Sequence, residues 1–498
     1  MAPDARDPVV HDPIALLAET GATGADATTI VTHGAVIVLD GDRAWKLKRP
    51  VAYRYMDFST ADRRRHALQE ELRLNRRTAP HLYRAVHAIT RGADGTAILD
   101  GPGEPVDWVL EMTRFPDDAL LARHADRGRL DDSLMTALAG QIVSLHHDAE
   151  VSADTAGAAR LLDVVVGNRE SMARYPEILD PARADELTDR LTTLIEARSA
   201  LLDERAAAGR VRHGHGDLHL NNIALLDGVP VPFDCLEFDP EYAIADVLYD
   251  LAFTLMDLWG RGMRHEANVL ANAYLDDSPD DESGFGLLPL MVAVRATVRA
   301  HVLAAAGDAG AARRYLELAL TVVEPAPPLL VAIGGGSGTG KSTLARKLGG
   351  DCGAAPGARI LRSDVLRKRL AGVSTLTRLP TTAYSSSMSA LVYRELERLA
   401  GRDLADGMSV IADAVFGTAD EQAAIRAQAL AVGAQWRGIW LALPLDQRIA
   451  RIAGRGPDAS DATADVARAQ DLSIAPPADG WTHLVADDDA VRAATALI

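Results

Sequence analysis

The sequence contains only two cysteines in 498 residues, Cys235 and Cys352. Two thiols cannot form a disulfide framework or a four-thiolate zinc site, so a reducing compartment is expected. The sequence lacks a run of about 20 uncharged apolar residues. Its first residues are acidic and interrupted by proline, where a secretory signal is basic and then apolar. These absences predict a soluble, cytoplasmic protein that does not cross a membrane.

Lysine is also scarce, because only five of the 52 basic residues are lysines. A chain so biased toward arginine should keep lysine mainly where a compact ammonium is needed. Three of the five, Lys46, Lys48 and Lys341, fall in the motifs described below. The net charge of -18 repels a phosphate backbone, which makes nucleic acid an unexpected partner.

The length favours two or three domains, because a single hydrophobic core stops growing near ~250–300 residues. Three prolines occur between residues 325 and 328, and they predict a linker there. We therefore expect one domain over residues 1–324, a linker over 325–328 and a second domain over 329–498. The first domain has β-like segments up to about residue 115 and mostly helical patterns over 116–324.

A phosphate-binding loop begins the second domain. The apolar segment Leu329–Ile333 predicts a buried parallel strand, and a helical pattern follows at Leu344. Between them lies a match to G-x-x-x-x-G-K-[ST], whose amides, lysine and hydroxyl suit phosphates and Mg²⁺. The nucleotide-binding candidates are Gly335, Gly336, Ser337, Gly338, Thr339, Gly340, Lys341, Ser342 and Thr343.

Two further carboxylates are candidates in this domain. Asp413 ends a second predicted buried strand and is proposed to help Ser342 hold the metal; alternatively it is a turn or capping residue. Asp364 follows another strand and could accept a hydroxyl proton, while Arg367 and Lys341 neutralise charge. Alternatively, Asp364 only caps its helix.

This domain resembles the P-loop kinases that include zeta-toxin-like, polynucleotide-kinase-like and gluconate-kinase-like domains. The resemblance implies an α/β fold with a parallel sheet and phosphoryl transfer to a hydroxyl. It also implies that Arg448, Arg451 and Arg455 belong to a mobile lid over the nucleotide; alternatively these arginines are solvated helix charges.

A second phosphotransfer motif occurs at His215–Asn222, which matches H-x-D-x-x-x-x-N. Kinase chemistry needs one carboxylate for the acceptor proton and oxygen ligands that hold Mg²⁺. Asp217 is the candidate base, and Asn222 and Asp234 are the candidate metal ligands. A zinc cluster of His215, Asp217 and His219 is the main alternative, and His219 more simply stabilises the loop.

The β-like segments supply the lysine and glutamate that such a site requires. A hairpin predicted over residues 35–48 carries Lys46 and Lys48 on one face, and the helix predicted over 63–77 carries Glu70 and Glu71. Lys46 and Glu71 are the expected pair; the alternatives are their neighbours Lys48 and Glu70, or an ordinary surface ion pair.

These motifs, with Ala44–Pro50, Asp57–Thr60, Glu70–Asn75 and Asp246–Ala252, resemble the aminoglycoside phosphotransferase family. They are similar to predicted bifunctional proteins that fuse this kinase-like domain to a P-loop domain, over nearly the whole chain. The resemblance implies an α+β bilobal kinase-like fold. It places adenine against a hinge at 111–114 that includes Met112, and it makes Asp246 and Asp250 braces of the catalytic loop.

One departure from that family is the absence of G-x-G-x-x-G before Lys46. The leading hypothesis is a kinase with two MgATP sites that acts on a hydroxyl of a small molecule. Alternatively, the N-terminal domain is a sensor that regulates the P-loop domain. A third hypothesis is a toxin-like or nucleic-acid-end kinase. The sequence does not identify the acceptor or the oligomeric state.

Overall fold

The protein divides into two compact units in a computed structural model that describes residues 12–53, 56–456, 458–477 and 479–498. The first unit comprises the described residues of Met1–Leu130, Ser144–Thr155 and Ala206–Asp250. The second comprises those of Asp131–Val143, Ala156–Arg205 and Leu251–Ile498. Residues 325–328 lie outside helices and strands. Their role as a domain boundary stays a prediction.

The α-helices of the described residues are distributed over both units. They are α1 Pro13–Glu19, α2 Ala61–Asn75, α3 Leu121–Asp126, α4 Asp132–Asp148, α5 Gly157–Met172, α6 Pro181–Ala197, α7 Ser199–Ala207, α8 Pro240–Ala243, α9 Val247–Gly260, α10 Arg264–Asp277, α11 Leu288–Ala305, α12 Ala309–Val322, α13 Lys341–Gly349, α14 Ser363–Leu370, α15 Ser386–Ala405, α16 Ala419–Val432, α17 Leu445–Ala453, α18 Ala464–Ser473 and α19 Ala490–Thr495.

The strands of the first unit are short and pair antiparallel. They are β1 Thr28–Val31, β2 Ala35–Asp40, β3 Arg43–Lys48, β4 Ala52–Tyr53, β5 Met56–Asp57, β6 Tyr83–Arg91, β7 Ala97–Leu99, β8 Pro105–Thr113, β9 Val211–His213, β10 Ile223–Leu226, β11 Val229–Pro232 and β12 Ile244–Asp246. Six of them form the main sheet, in the order β1-β2-β3-β8-β6-β7.

Strand β3 shows why this sheet positions a charged site. It pairs with β2 in the predicted hairpin, whose turn contains Gly41 at a φ of 54°. Side chains alternate across a strand, so Trp45 and Leu47 enter an apolar cluster with α1 and β2. Lys46 and Lys48 therefore share the opposite face, where both are buried.

The second unit contains a helical part and an α/β part. Within the described residues, one stretch, Pro279–Ala305, is long and apolar enough to cross a membrane, but 67% of its most apolar window is buried inside the protein. The chain leaves helical geometry at Arg198, which separates α6 from α7. The Arg198 guanidinium instead contacts the Asp406 carboxylate at 2.6 Å.

The α/β part is a parallel sheet, as the sequence predicted. Its strands are β13 Leu329–Gly334, β14 Arg359–Arg362, β15 Val410–Asp413, β16 Gln435–Ala442 and β17 Trp481–Val485. Their order is β14-β15-β13-β16-β17, and every neighbouring pair is parallel. Because helices cover both faces of parallel sheets, β13 is a continuous apolar strand that is buried throughout. The loops after these strands meet at one edge of the sheet.

Helix α10 packs against the beginning of β14 through buried asparagines. The Asn272 side chain accepts hydrogen bonds from the Ile360 amide at 2.7 Å and from the Arg359 guanidinium at 2.9 Å. Its amide nitrogen donates to the Ala358 carbonyl at 3.1 Å. Arg359 is also paired with Glu282 at 3.0 Å. These buried polar groups thus find their partners within the protein interior.

We predict that Asn272→Ala destabilises the second unit, because it leaves the buried Ile360 amide without its acceptor and removes one acceptor of the Arg359 guanidinium. The expected loss is about 1–3 kcal/mol in the free energy of unfolding. Urea denaturation followed by circular dichroism measures it. Gln435→Ala, which removes an exposed amide, is the control and should leave stability nearly unchanged. Equal stability of both variants would contradict the prediction.

Candidate functional site

Two lysines of β3 converge on one buried glutamate in the first unit. The Lys46 ammonium lies 2.6 Å from one oxygen of Glu71, and the Lys48 ammonium lies 2.7 Å from the other. Glu71 comes from α2 and is fully buried. Glu70 instead pairs with Arg73 at 2.7 Å on the outer side of α2. The structure therefore brings Lys46 and Glu71 together and adds Lys48 to the same carboxylate.

Each lysine also holds a carboxylate from the loop after β11. Lys46 contacts Asp234 at 2.6 Å, and Lys48 contacts Glu237 at 2.5 Å. Burial lowers the pKa of Lys46, but Asp234 and Glu71 outweigh it and raise this pKa well above its usual value. Burial raises the pKa of Glu237. The sequence reasoning missed Glu237, although its position three residues after Asp234 could have indicated it.

Asp234 has a backbone conformation that few residues adopt. Its φ is 63°, in the left-handed region. The Asp234 amide donates to the Tyr83 hydroxyl at 3.0 Å, and the next amide, of Cys235, donates to the Asn75 side chain at 2.9 Å. These contacts fix the loop, so its carboxylate is held towards Lys46.

The Asp250 carboxylate holds the beginning of the loop that carries His215, Asp217 and Asn222. The amides of His215 and Gly216 donate to the two oxygens of Asp250 at 2.7 and 2.9 Å. The Asn222 side chain donates to the Asp217 carbonyl and carboxylate, each at 2.9 Å. Since the Asn222 nitrogen is used in these bonds, its amide oxygen is the atom that can bind a metal.

The remaining candidates of the first unit have different surroundings. Burial raises the pKa of Asp234, but Lys46 and Lys48 outweigh burial and the opposing charge of Asp217, so this pKa lies below its usual value. The His219 ring accepts from the Asn221 amide at 3.2 Å, which is a loop-stabilising contact. Met112 lies on β8 opposite Ala44 of β3 and is half-buried. Asp246 accepts from the Leu248 amide at the start of α9.

The phosphate-binding loop of the second unit connects β13 to α13. Two of its glycines are required by geometry: a Cβ at Gly335 would lie 2.5 Å from the Leu441 carbonyl oxygen, and one at Gly338 would lie 2.6 Å from the Arg448 carbonyl oxygen. Both also have positive φ. The chain at these positions can therefore accommodate only glycine, and backbone amides can surround phosphate oxygens.

The lysine and hydroxyl of this loop point to the carboxyl edge of the sheet. Lys341 donates to the Gly336 carbonyl at 3.1 Å, and burial lowers the pKa of Lys341. The Ser342 hydroxyl donates to Asp413 at 2.5 Å. Asp413 ends β15, which is paired in register with β13. Oxygen atoms from Ser342 and Asp413 suit the ligand preference of Mg²⁺.

A cavity of about 990 Å³ extends from this loop and contains most of the other candidates. Asp364 lies in the first turn of α14, after the capping position at Arg362, and burial raises the pKa of Asp364. Arg367 lines the same cavity. Arg362 was missed by the sequence reasoning; it pairs with Asp458 at 2.9 Å.

The three arginines at 448–455 have different positions. Arg448 is buried and donates to the Ser337 carbonyl at 3.1 Å. Arg451 donates to the Thr339 carbonyl at 3.2 Å, and Arg455 donates to the Ser460 carbonyl at 2.8 Å. Arg451 and Arg455 line the cavity. Arg448 therefore contacts the phosphate-binding loop outside the cavity, whereas Arg451 and Arg455 face the cavity.

Gln470 on α18 forms a hydrogen bond with one backbone amide of the phosphate-binding loop. Its side-chain oxygen accepts from the Ser337 amide at 2.7 Å. An amide in a phosphate-binding loop normally donates to a phosphate oxygen. The glutamine oxygen therefore takes the place that a phosphate oxygen would have, and nothing in the sequence near residue 470 indicated this contact.

A family model and curated relatives are similar to this chain. The family model described as AAA domain matches residues 330–477. The uncharacterized protein Rv2004c of Mycobacterium tuberculosis is 31% identical over 456 residues, which are 88% of this chain and 88% of that protein. The chain belongs to the same protein family as Rv2004c. Mb2027c of Mycobacterium bovis, also called uncharacterized, matches with the same values.

Parts of this chain are also similar to solved structures of kinases. A choline kinase from Cryptosporidium parvum is 12% identical, covers 62% of this chain and 94% of its own, and has a TM-score of 0.41. A gluconokinase from Sinorhizobium meliloti is 17% identical, covers 34% of this chain and 90% of its own, and has a TM-score of 0.26. The family match covers the α/β part of the chain, where the sequence predicted a P-loop domain with a parallel sheet.

We predict that Asp234→Ala is less stable than Asp234→Gly. Alanine in a left-handed conformation costs about 1–2 kcal/mol, which glycine avoids. The alanine variant should therefore unfold at a lower urea concentration than the glycine variant. Equal midpoints would show that the positive φ of Asp234 is not strained for a side chain.

We predict that Gln470→Ala strengthens MgATP binding at the P-loop. The nucleotide must displace the Gln470 oxygen from the Ser337 amide, and a hydrogen bond of this kind contributes about 0.5–1.5 kcal/mol. The Kd should fall roughly two- to tenfold, as measured by calorimetry. Gln422→Ala, on α16, is the matched control. An unchanged or higher Kd in the Gln470 variant would contradict this role of the glutamine.

Proposed function

We propose that the protein is an ATP-dependent phosphotransferase with two MgATP sites, each of which transfers the γ-phosphoryl group to a hydroxyl of a small molecule. The observation that carries the proposal is that each unit gathers a lysine, buried in the first and half-buried in the second, and metal-compatible oxygen ligands in one place. In the first unit these are Lys46, Asn222 and Asp234. In the second they are Lys341, with Ser342 and Asp413.

At the first site, Asp217 accepts the proton of the acceptor hydroxyl. Its side chain is 39% exposed and so is accessible to a substrate. The Asn222 amide donates to this carboxylate and keeps it oriented. Lys46 leaves Asp234 and pairs with the α and β phosphates, while Glu71 keeps the ammonium in place. Magnesium, when bound to Asn222 and Asp234, neutralises phosphate charge.

At the second site, the loop amides and Lys341 bind the phosphates, and Asp364 receives the hydroxyl proton. Burial raises the pKa of Asp364, which makes it a better proton acceptor than an exposed aspartate. Ser342 and Asp413 are the oxygen ligands for the metal. Arg451 and Arg455 neutralise phosphate charge from the side of the cavity. A cytoplasmic location and a small-molecule acceptor are part of this proposal.

A regulatory first unit is the second candidate function. Three residues, Thr32–Gly34, separate β1 from β2, where a glycine-rich loop would cover the phosphates. The Arg49 side chain donates to the Thr32 carbonyl at 2.9 Å and holds this short turn. The Lys46–Asp234 ion pair also neutralises the site without nucleotide. These features favour a unit that binds a metabolite and controls the P-loop domain.

Single-turnover transfer from radiolabelled ATP to a mixture of cell metabolites tests the proposal. Asp217→Asn should lower transfer at the first site about 10²–10⁴-fold, as loss of a general base does. Lys341→Met should remove transfer at the second. Each single variant should therefore keep the products of the other site, and the double variant should lose all products.

Two conservative controls accompany these variants. Asp227→Asn changes a turn aspartate between β10 and β11, and Lys347→Met changes an exposed lysine of α13; both should behave as the wild type. Loss of every product in the Lys341 variant alone would reject two catalytic sites and leave the regulatory candidate.

A further inference from the structure

The end of the P-loop cavity around α14 has cationic side chains that have no role in the phosphoryl transfer proposed for the second site. We define this acceptor end by Asp364, Arg367, Arg378 and Tyr384, which all line the cavity. It is separate from the loop residues that bind phosphates. Its role as a binding site for the acceptor rests on the function proposed for the second site.

Arg367 is the central residue of the acceptor end. It is 7% exposed, donates to the Ala383 carbonyl at 2.9 Å, and lies 4.8 Å from the centre of the Tyr384 ring. Its Nε is buried and has no hydrogen-bond partner among the described residues. Buried polar groups are nearly always hydrogen-bonded, so this unpaired donor indicates a missing acceptor atom.

The acidic groups nearby already have partners. Asp461 accepts from the Lys368 ammonium at 3.0 Å, the Leu379 amide at 2.9 Å and the Tyr384 hydroxyl at 2.8 Å. Asp458 accepts two bonds from Arg362, at 2.9 and 3.1 Å. These carboxylates are therefore not available to neutralise Arg367.

Arg378 adds a second cation to this end of the cavity. It lies in the segment between α14 and α15 and is exposed. The backbone on both sides is fixed, because the Thr377 carbonyl accepts from Lys368 and the Leu379 amide donates to Asp461. The Arg378 guanidinium makes no ion pair or hydrogen bond within the described part of the chain, so it can bind a ligand.

We propose that the acceptor end binds an anionic group, a carboxylate or phosphate, of the hydroxyl-bearing substrate. Arg367 follows Asp364 by three residues on α14, so both side chains lie on one face of the helix. The anion would bind Arg367 and Arg378 while the hydroxyl faces Asp364. Arg367 then binds the substrate, and a short carbon chain separates the anion from the reacting hydroxyl.

Four three-carbon probes test this proposal: glycerate, glycerol 3-phosphate, glycerol and 3-amino-1,2-propanediol. Each is titrated by calorimetry into the full-length protein saturated with Mg²⁺ and a non-hydrolysable ATP analogue. The two anionic probes should bind at least about tenfold more tightly than the neutral and amine probes, because their bonds to arginine are charge-assisted. Glycerate against glycerol 3-phosphate shows whether carboxylate or phosphate is preferred.

Arg367→Gln should abolish the preference for anions, Arg367→Lys should retain part of it, and the exposed Arg378→Gln should reduce it. All three should bind the ATP analogue as the wild type does, which also shows that they fold. Arg394→Gln, at an exposed position on α15, is the matched control and should keep the full preference.

Equal or tighter binding of glycerol or the amine would overturn the proposal, as would anion binding that is absent or unaffected by both Gln variants. Failure of the proposed function gives a different result, because the wild-type second site then does not bind the ATP analogue at all.

Discussion

Buried lysines held by carboxylates are the interaction on which the candidate kinase site of the first unit depends. An isolated ammonium in a dry interior is strongly disfavoured, so Lys46 and Lys48 need anionic partners, which Glu71, Asp234 and Glu237 supply in this structure. These ion pairs hold β3, α2 and the loop after β11 next to one another. These charges stabilise the fold, and the proposed binding of a magnesium-bound triphosphate requires the same charges. Because two lysines share Glu71, Lys46 can change partners without leaving Glu71 unpaired.

In the second unit, the candidate phosphate site is formed by backbone amides more than by side chains. Its loop offers amides that can surround phosphates because glycines at 335 and 338 approach neighbouring carbonyl groups too closely for any side chain. Register in the parallel sheet then places Asp413 beside the end of β13, where it meets Ser342. In the function proposed here, phosphate affinity at this loop comes from main-chain geometry, and specificity for the acceptor comes from the separate arginine-containing end of the cavity.

Local patterns in the sequence were sufficient for the hairpin that carries Lys46, for the phosphate-binding loop and for the parallel sheet. Each depends on spacing of two or a few residues or on a continuous apolar run. Contacts between distant segments could not be read in this way. Lys48–Glu237, Ser337–Gln470 and Arg362–Asp458 join residues far apart in the chain. The break at Arg198 likewise depends on Asp406, whose position no local pattern reveals.

The number of nucleotides that each chain binds distinguishes two functional sites from one. Calorimetric titration of the full-length protein with Mg²⁺ and a non-hydrolysable ATP analogue should give two sites per chain. Lys341→Met should leave one site, with the affinity of the first unit, and Lys46→Met should leave the other. A single site in the wild type that Lys341→Met removes completely would contradict the proposed pair of sites, because the lysines and carboxylates of the first unit would then not bind a triphosphate.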